Sequence, residues 1–521
     1  MPMRWFLVLA ALGACGGGKP PPASGGVSLV LDIPNGMLDP RGYTAVEVVL
    51  HKSSEDLVRA SAVASDGTFD LGAIDPSTSI SVEATLRNVS GAAVGYGRTA
   101  MAQAFAGGAE VVVPVRRPIG YFAGTVSRPS GSLQNLHWTE APATYSDLSV
   151  GTMLDGKTQV GGPVVMVIAA GPNLYGVTQA TSDPSGTLVG PARLVPFSTV
   201  DHAVGAMLAG TMTGAVIDGA GADDGSTLVI GTSAQLFAID TASGAARALA
   251  DGNFARVAVM TSDTGEVNAI AIKNRGPTSG ACSTSAELWW ARLSGPPMPA
   301  QMVTTGGFSD VAADRGHVYY VDSCKGELGE VTTSGARMLR TINAGASARA
   351  TMLAVSNGQA YIGVETAPAT TALLVASLPT MEGQTPEDPR TLWNEAAQQV
   401  VRATDFRGVL RQLDATSATF GHLEIGAGGD YVTLTTSAHF HGDAVLAANF
   451  PELTIDTEEL RVFDAATGGV VQRYRSWCAG VINATAGDID RWSCALAAGQ
   501  TAAATGFDHH IGSMTFMFGK R

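Results

Sequence analysis

The feature of this sequence that most constrains its fold is a weak internal repeat in the last four-fifths of the chain. Segment 225–244 aligns with segment 316–335, and each reads glycine, strand, short loop, strand and then a turn of Thr, Ser and Gly. A third copy begins at Gly358, so the starts lie 91 and 42 residues apart. This spacing fits one period of about 45 residues if a divergent copy lies between the first two. A repeat of this kind predicts a series of similar β-units that bury their apolar faces against one another.

The divergent copy is visible in the sequence. Its middle strands are expected at 266–272 and 287–293, and segment 308–314 opens the next copy. A period of about 40–50 residues is that of a β-propeller blade. Residues 118–521 then hold seven or eight blades, and we expect about seven because some loops look long. Segments 121–126 and 514–518 are expected to share one blade and so to close the ring without exposed edges.

One turn motif recurs far apart in the chain. Segments 236–244 and 460–468 both read Leu-x-x-x-Asp-x-Ala-Ser/Thr-Gly. The motif resembles the propeller repeats of YVTN-type and quinoprotein-like bacterial families, and this resemblance implies an architecture and no activity. Asp240, Asp322 and Asp464 recur at strand ends, where we expect them to support turns.

Residues 27–117 show short alternating strands separated by turn signals. In the plainest of them Val82, Ala84 and Leu86 alternate with Glu83 and Thr85, which predicts a strand with one buried face. Six or seven such strands in about ninety residues predict an immunoglobulin-like or transthyretin-like β-sandwich. The chain is therefore expected to be all-β, with a sandwich before the propeller.

The amino terminus has the pattern of a signal peptide over residues 1–14. Arg4 precedes an apolar run of ten residues, and such a run is too short to span a bilayer. Segment 12–15, Leu-Gly-Ala-Cys, resembles the lipobox of bacterial lipoproteins, which implies cleavage before Cys15 and acylation of its thiol. The alternative is an ordinary secretory signal with a coincidental cysteine. Residues 15–26, rich in Gly and Pro, are expected to form a flexible tether.

The resemblance to lipoproteins implies a location in the cell envelope. Gly16 is not an aspartate, which by the enterobacterial sorting pattern implies the outer membrane of a Gram-negative bacterium. The formal charge of −14 removes the electrostatic basis for binding nucleic acid, which needs clustered Lys and Arg. The expected partners are thus the membrane, through the lipid, and an unidentified protein or glycan.

Four cysteines remain once Cys15 is assigned to lipid, and four cysteines in an oxidising compartment suggest two disulfides. Cys282 precedes the third strand of one repeat, and Cys324 occupies the same loop of the next. Because equivalent loops of adjacent blades lie side by side, we expect a Cys282–Cys324 bridge. Cys478 and Cys494 are expected to close a local loop.

Three local patterns are candidate sites. Segment 151–158 matches G-x-x-x-x-G-K-T, but Gln-Val-Gly-Gly-Pro follows and prevents the helix that a phosphate-binding loop needs, so we expect no nucleotide site. His439 and His441 share one face of a strand-like run and are weak metal candidates, although two solvated histidines are the more ordinary interpretation. Some tryptophans have the chemistry to stack sugars, but core packing is favoured for them. They are Trp289, Trp290, Trp477 and Trp492.

No G-x-S-x-G elbow, H-E-x-x-H motif or EF-hand loop occurs in the sequence. The leading functional hypothesis is therefore an envelope lipoprotein that acts as a binding or scaffold module through its propeller loops, without a cofactor. The alternative is an envelope enzyme of hydrolase or lactonase type, because propellers build active sites from the loops of several blades. A purely structural envelope component is the third possibility.

Overall fold

The computed structural model describes part of the residues of this chain. They are residues 3–8, 28–33, 44–52, 55–63, 79–87, 93–99, 103–104, 110–116, 118–128, 131–140, 156–158, 164–171, 173–179, 190–198, 203–222, 224–262, 264–276, 282–295, 298–314, 316–342, 348–356, 358–366, 370–379, 388–396, 400–404, 410–426, 431–442, 454–465, 470–475, 479–481, 493–495 and 508–518.

The amino-terminal strands form one hydrogen-bonded order, β1-β2-β8-β6-β5-β3-β4, with β7 beside β5. These strands are β1 (Met3–Val8), β2 (Ser28–Ile33), β3 (Ala45–Lys52), β4 (Glu55–Val63), β5 (Ser79–Arg87), β6 (Ala93–Arg98), β7 (Gln103–Ala104) and β8 (Glu110–Arg116). In β5, Val82, Ala84 and Leu86 are buried while Glu83 and Thr85 are half-buried, which confirms the predicted alternation. The strand pairing does not separate into two facing sheets, so the predicted sandwich is not shown.

Six blades follow, each built from consecutive strands. Blade 1 contains β12 (Val164–Ala170), β13 (Asn173–Thr178) and β14 (Arg193–Phe197), and blade 2 contains β15 (Val216–Gly221), β16 (Thr227–Thr232), β17 (Gln235–Asp240) and β18 (Ala246–Asp251). Blade 3 contains β19 (Phe254–Thr261), β20 (Val267–Lys273), β21 (Ala286–Arg292) and β22 (Gln301–Gly306), and blade 4 contains β23 (Phe308–Asp314), β24 (His317–Asp322), β25 (Glu327–Thr332) and β26 (Gly335–Thr341).

Blades 5 and 6 complete the series. Blade 5 contains β27 (Arg349–Ser356), β28 (Gln359–Thr366), β29 (Thr370–Ser377) and β30 (Arg390–Ala396). Blade 6 contains β31 (Val400–Thr404), β32 (Leu410–Gly426), β33 (Tyr431–Gly442), β34 (Thr454–Asp464), β35 (Val470–Arg475), β36 (Ala479–Val481) and β37 (Ser493–Ala495). No helix occurs in the part of the chain that the structure describes, so that part contains no helical segment able to cross a membrane.

A closing sheet joins the two ends of this series. It contains β9 (Pro118–Arg128), β10 (Gly131–Glu140), β11 (Gly156–Thr158) and β38 (Asp508–Phe518), in the order β11-β10-β9-β38. The first strands of blades 1 to 5, together with β32 and β38, contact one another in sequence and surround an axial channel. Met514 pairs with Phe122, and Thr515 with Tyr121. The predicted sharing of one sheet by segments 121–126 and 514–518 is thus confirmed.

The expected number of about seven blades needs a correction. Within the described residues six blades arise from consecutive strands, and the two ends of the propeller segment, β9 to β11 and β38, pair in the closing sheet in place of a seventh consecutive repeat. The repeat positions themselves are confirmed. Gly225, Gly316 and Gly358 each occupy the turn before the second strand of a blade, with φ of 75°, 76° and 74°. This left-handed backbone explains why glycine recurs there.

The hydrophobic core lies between neighbouring blades. In β16, Leu228 and Ile230 pack against blade 1, whereas Val229, on the opposite face of the strand, packs against blade 3. All three side chains are fully buried, and burial of each contributes about 1.5–3 kcal/mol. A blade strand is therefore apolar on both faces, because each face is covered by another sheet.

Candidate functional site

A bulge in the first strand of blades 1 to 5 shapes the mouth of the channel. In blades 1 to 5 the pairing with the second strand skips one residue close to the beginning of the inner strand. The skipped residues are Val165, Ile217, Ala255, Ser309 and Thr351. A bulge re-aims the side chains beside it. We call the face on which the inner strands begin the mouth face.

The residue that follows each bulge reaches the same cavity. These five residues are Met166, Asp218, Arg256, Asp310 and Met352. The cavity has a volume of about 250 Å³, and residues of β32, including Leu423 and Glu424, complete its wall. All of its lining residues belong to inner strands, so the cavity lies in the axial channel.

Arg256 and Asp310 form an ion pair across blades 3 and 4. Arg256 Nε lies 3.3 Å from Asp310 Oδ1, and the two side chains are 17% and 8% exposed. Asp310 Oδ1 also accepts a hydrogen bond from the amide of Val311 at 2.9 Å, and Oδ2 accepts one from the amide of Leu353 in blade 5 at 2.9 Å. One carboxylate therefore connects three blades.

Asp218 makes the equivalent connection one repeat earlier. Its Oδ2 accepts a hydrogen bond from the amide of Val257 in blade 3 at 2.8 Å. Val257 follows Arg256 as Leu353 follows Met352, so the two carboxylates occupy matching places in blades 2 and 4. These bonds hold the carboxylates on rigid strands and fix their positions at the channel wall.

Glu424 brings a third carboxylate to the cavity from blade 6. The hydroxyl of Thr515, which is 2% exposed, donates a hydrogen bond to Glu424 Oε1 at 2.6 Å. Because Thr515 belongs to β38, this bond joins blade 6 to the closing sheet.

Arg275 binds the bulges themselves. It lies just after β20 of blade 3, and its Nε donates to the carbonyl of Ser309 at 2.7 Å. Its terminal nitrogen donates to the carbonyl of Thr351 at 2.7 Å. Both carbonyls belong to bulge residues, of blades 4 and 5. The guanidinium thus spans two blades beyond its own.

The surroundings of Arg275 mix both signs of charge. Burial, and then the charge of Arg256, lower the pKa of Arg275 to about 10. The carboxylates of Asp310, Asp218 and Glu365 act against this shift. At neutral pH the group stays protonated. Of the ionisable residues that line the cavity, three are acidic and one, Arg256, is basic, which leaves the wall with an excess of negative charge.

The residues proposed from sequence lie elsewhere. Gly156–Thr158 form the short strand β11, paired with β10, so the G-x-x-x-x-G-K-T segment ends in a strand and not in a helix. The backbone of His439 and His441 lies in β33, and their side chains are outside the described part. Among the residues that the structure describes, no three metal-binding side chains cluster.

Of the four tryptophans named from the sequence, Trp289 and Trp290 have described side chains, and both pack into blade interfaces. Trp289 meets Phe254 edge to face with ring centroids 6.0 Å apart, and the ammonium of Lys273 lies 5.1 Å from its ring. Trp290 donates its indole N–H to Asn268 Oδ1 at 3.2 Å. This supports the core-packing interpretation for both. Cys15, Cys478, Trp477 and Trp492 lie outside the described residues.

Cys282 and Cys324 lie where the repeat register predicts, in the loops before the third strands of blades 3 and 4. The two cysteines are neighbours, because the Cys324 thiol donates a hydrogen bond to the carbonyl of Ser283, the residue next to Cys282, at 3.5 Å. They are unbridged in this structure, so the predicted disulfide is not formed in it. The backbone of Cys494 lies in β37, and the pairing expected for it with Cys478 falls outside the described residues.

Asp240 and Asp322 support turns, as expected. Asp240 Oδ1 accepts hydrogen bonds from the amide and the hydroxyl of Ser243, both at 2.7 Å. Asp322 Oδ1 accepts from the amides of Cys324 and Lys325 at 2.9 and 3.0 Å. The side chain of Asp464 is outside the described part.

Sequence reasoning missed the cavity residues, yet a signal for them exists. Phe254-Ala-Arg256 and Phe308-Ser-Asp310 each place a charge two residues after a buried aromatic, at the start of an otherwise apolar strand. Aligning the starts of all inner strands would have grouped these charges.

No family model matches this sequence, and no curated protein matches it either. Some solved structures show a weak similarity to this chain. The β-propeller domain of Cps50 (Swd1) from Myceliophteria thermophila is 10% identical, with a TM-score of 0.39, over 63% of this chain and 88% of that chain. U3-55K is 9% identical, with a TM-score of 0.36, over 61% of this chain and 90% of that chain.

A Bacteroides fragilis protein with a provisional assignment as a 6-phosphogluconolactonase is 12% identical, with a TM-score of 0.36, over 77% of this chain and 98% of that chain. At these identities and TM-scores the similarities support neither a function nor a fold for this chain. The propeller assignment for this chain rests on its own strand pairing and on its ring of inner strands.

Proposed function

We propose that this protein is a lipid-anchored binding protein of the cell envelope, whose axial cavity takes a positively charged amine of its ligand. The observation that carries the proposal is the convergence of the bulge positions of five blades on one cavity with an excess of carboxylates. An ammonium group in the cavity would lie between Asp218 of blade 2 and Glu424 of blade 6, which both line its wall. The attraction between opposite charges is stronger in a cavity partly shielded from water than at the open surface.

The composition of the cavity favours binding over catalysis. Apart from its four charged residues, the described wall consists of Met, Val, Leu, Ile, Ala and Gly. An apolar wall with a few fixed polar groups is typical of ligand sites. Nucleophilic catalysis uses an activated Ser, Cys, Thr or Lys, or a carboxylate placed for attack. Here the wall holds none of the first four, and Asp310 is engaged by Arg256 and two amides.

The ligand class follows from the same chemistry. An amine is carried by alkylamines, by lysine side chains of a protein and by amino sugars of a glycan, and the cavity volume of about 250 Å³ suits one such group. A protein or glycan partner then lies on the mouth face with its amine in the channel.

Isothermal titration calorimetry of the purified full chain with cadaverine, a lysine-containing peptide and glucosamine tests the proposal. Asp218→Asn keeps the acceptor for Val257 but removes the charge, and it should weaken amine binding about tenfold, as expected for a loss of about 1.4 kcal/mol. Asp251→Asn, at an exposed aspartate outside the cavity, is the matched control and should leave the affinity unchanged.

Equal affinities for the two variants, or no binding of any probe, would overturn this assignment. Chemical conversion of a probe would instead support the envelope-enzyme alternative.

The proposed anchor rests on the sequence around Cys15. Cleavage before Cys15 and acylation of its thiol would place the protein at the membrane, with residues 16–26 as a spacer. Metabolic labelling with a clickable palmitate analogue should label the wild-type chain, and Cys15→Ala should abolish the label. Cys478→Ala controls for labelling of other thiols. Undiminished labelling of Cys15→Ala would contradict the proposed anchor.

A further inference from the structure

The pair formed by Cys282 and Cys324 joins two blades at the mouth face. Cys282 precedes β21 in blade 3, and Cys324 lies in the turn between β24 and β25 of blade 4. The Cys324 thiol donates a hydrogen bond to the carbonyl of Ser283, the residue next to Cys282, at 3.5 Å. Two cysteines that lie this close, in loops of two neighbouring blades, meet the first requirement for a disulfide between the blades.

The turn that holds Cys324 is fixed. Asp322 is fully buried, and its Oδ1 accepts hydrogen bonds from the amides of Cys324 and Lys325. Its Oδ2 accepts one from the amide of Gly307 at 3.0 Å. Since Asp322 ties the turn to the preceding loop, the Cys324 sulfur has a defined place against blade 3.

The two thiols differ in exposure and in charge environment. Cys282 is exposed, and a terminal nitrogen of Arg349 donates to its sulfur at 3.1 Å. The neighbouring Cys324 side chain, and then Arg349, lower the pKa of Cys282, against the effect of its own desolvation. Burial raises the pKa of the half-buried Cys324. The thiolate is the attacking species in thiol chemistry, so Cys282 is the more reactive of the two.

We propose that Cys282 and Cys324 form a reversible modification site, in which Cys282 attacks a small disulfide and Cys324 then resolves the mixed disulfide into a bridge between blades 3 and 4. In the first step the Cys282 thiolate bonds to one sulfur of the external disulfide, whose S–S bond breaks and releases one thiolate. In the second step Cys324 loses its proton and attacks the Cys282 sulfur, which releases the second thiolate.

The thiol–disulfide exchange is balanced in atoms and electrons. Two cysteine thiols lose two protons and two electrons in total, and the external disulfide becomes two thiols. The oxidant is thus a disulfide of low molecular mass, and the assignment does not depend on the proposed amine ligand.

The experiment treats the reduced full chain with oxidised glutathione and maps the products by mass spectrometry. We expect a Cys282–Cys324 bridge in the wild-type chain. Cys324→Ser should accumulate glutathione on Cys282, whereas Cys282→Ser should leave Cys324 unmodified on the same timescale. Circular dichroism confirms that each variant is folded before it is compared.

Arg349→Gln separates charge activation from mere exposure. It should slow the modification of Cys282 about threefold at neutral pH, since part of the loss of thiolate is offset by higher intrinsic nucleophilicity. At a pH where Cys282 is ionised in both proteins, the variant should react at least as fast as the wild-type chain. Arg337→Gln, which alters an arginine of blade 4 away from the thiols, is the control.

Three results would overturn the proposal. They are glutathione on Cys324 before Cys282, bridging of either residue to Cys478 or Cys494, and a bridge that forms only in denaturant.

Discussion

The charged residues at the channel have two effects at once. Asp310 neutralises Arg256, accepts the amides of two strands, and adds a carboxylate to the cavity wall. A carboxylate bound in this way is costly to remove, because its partners are left buried without a replacement. The proposed ligand binding and the folding stability therefore depend on the same side chains.

Asp310→Ala should lower the free energy of unfolding by about 3 kcal/mol, because it leaves the largely buried charge of Arg256 and the amide of Leu353 without their acceptor. Urea unfolding followed by tryptophan fluorescence measures the loss. Arg337→Gln breaks an ion pair with Glu330 whose arginine side chain is 46% exposed, and it should cost less than about 1 kcal/mol. Similar losses for the two variants would refute this account of the pair.

The lowered pKa of Asp240 predicts how the stability of the protein depends on pH. Hydrogen bonds from the side chain and then the amide of Ser243 lower the pKa of Asp240 below its ordinary value of 3.8. A carboxyl whose pKa is lower in the folded state than in the unfolded state stabilises the fold at pH values above its unfolded-state pKa. This stabilisation is lost as the pH falls through the folded-state pKa. Ser243→Ala should raise the pKa of Asp240 and flatten this acid dependence. NMR titration of the Asp240 carboxyl carbon measures it, with Ser226→Ala as the unchanged control.

The strands of this protein are specified by the turns between them and by burial of both strand faces. The turn between β19 and β20 contains Gly265 at φ 78°, with no atom within 4 Å of the place where a Cβ would stand. Any penalty for a side chain at Gly265 therefore comes from the backbone alone. This separates conformational strain from crowding.

Gly265→Ala should cost about 1–2 kcal/mol of unfolding free energy, the penalty for an L-residue in the left-handed region. Gly265→Asn should cost less, since asparagine adopts this conformation more readily. Thermal and urea unfolding of the two variants against the wild-type chain measure the difference. An alanine variant as stable as the wild-type chain would show that the turn does not require glycine.

Sequence patterns within one repeat predicted the strands and turns better than the residues of the cavity. The turn glycines, the middle strands β20 and β21, and the loops holding Cys282 and Cys324 follow from patterns within one repeat. The bulges do not, because they are fixed by bonds between blades, such as that from the Val257 amide to Asp218 across 39 residues. The periodicity of apolar residues indicates the face of a strand on which a residue lies. It does not indicate which residue of another blade that side chain contacts.

At the scale of the molecule, the ring depends on one sheet built from both ends of the propeller segment. Tyr121 of β9 is fully buried in the core shared with blade 1, and Thr515 of β38 binds Glu424 of blade 6. The closing sheet is thus bonded to both of its neighbours. An open ring would expose the edge of β9 and the side of blade 6, and exposed strand edges pair with other chains.

Truncation at residue 507 removes β38, whereas truncation at residue 518 removes only the last three residues. The first should abolish the cooperative thermal transition and produce aggregates on size-exclusion chromatography, because the ring opens along its full height. The second should behave as the full chain. A synthetic peptide of residues 508–518 added during refolding should restore the transition of the shorter chain, since its strand supplies the missing pairs to β9. A truncated chain that stays monomeric and unfolds like the control would mean that closure by β38 is not what holds the propeller together.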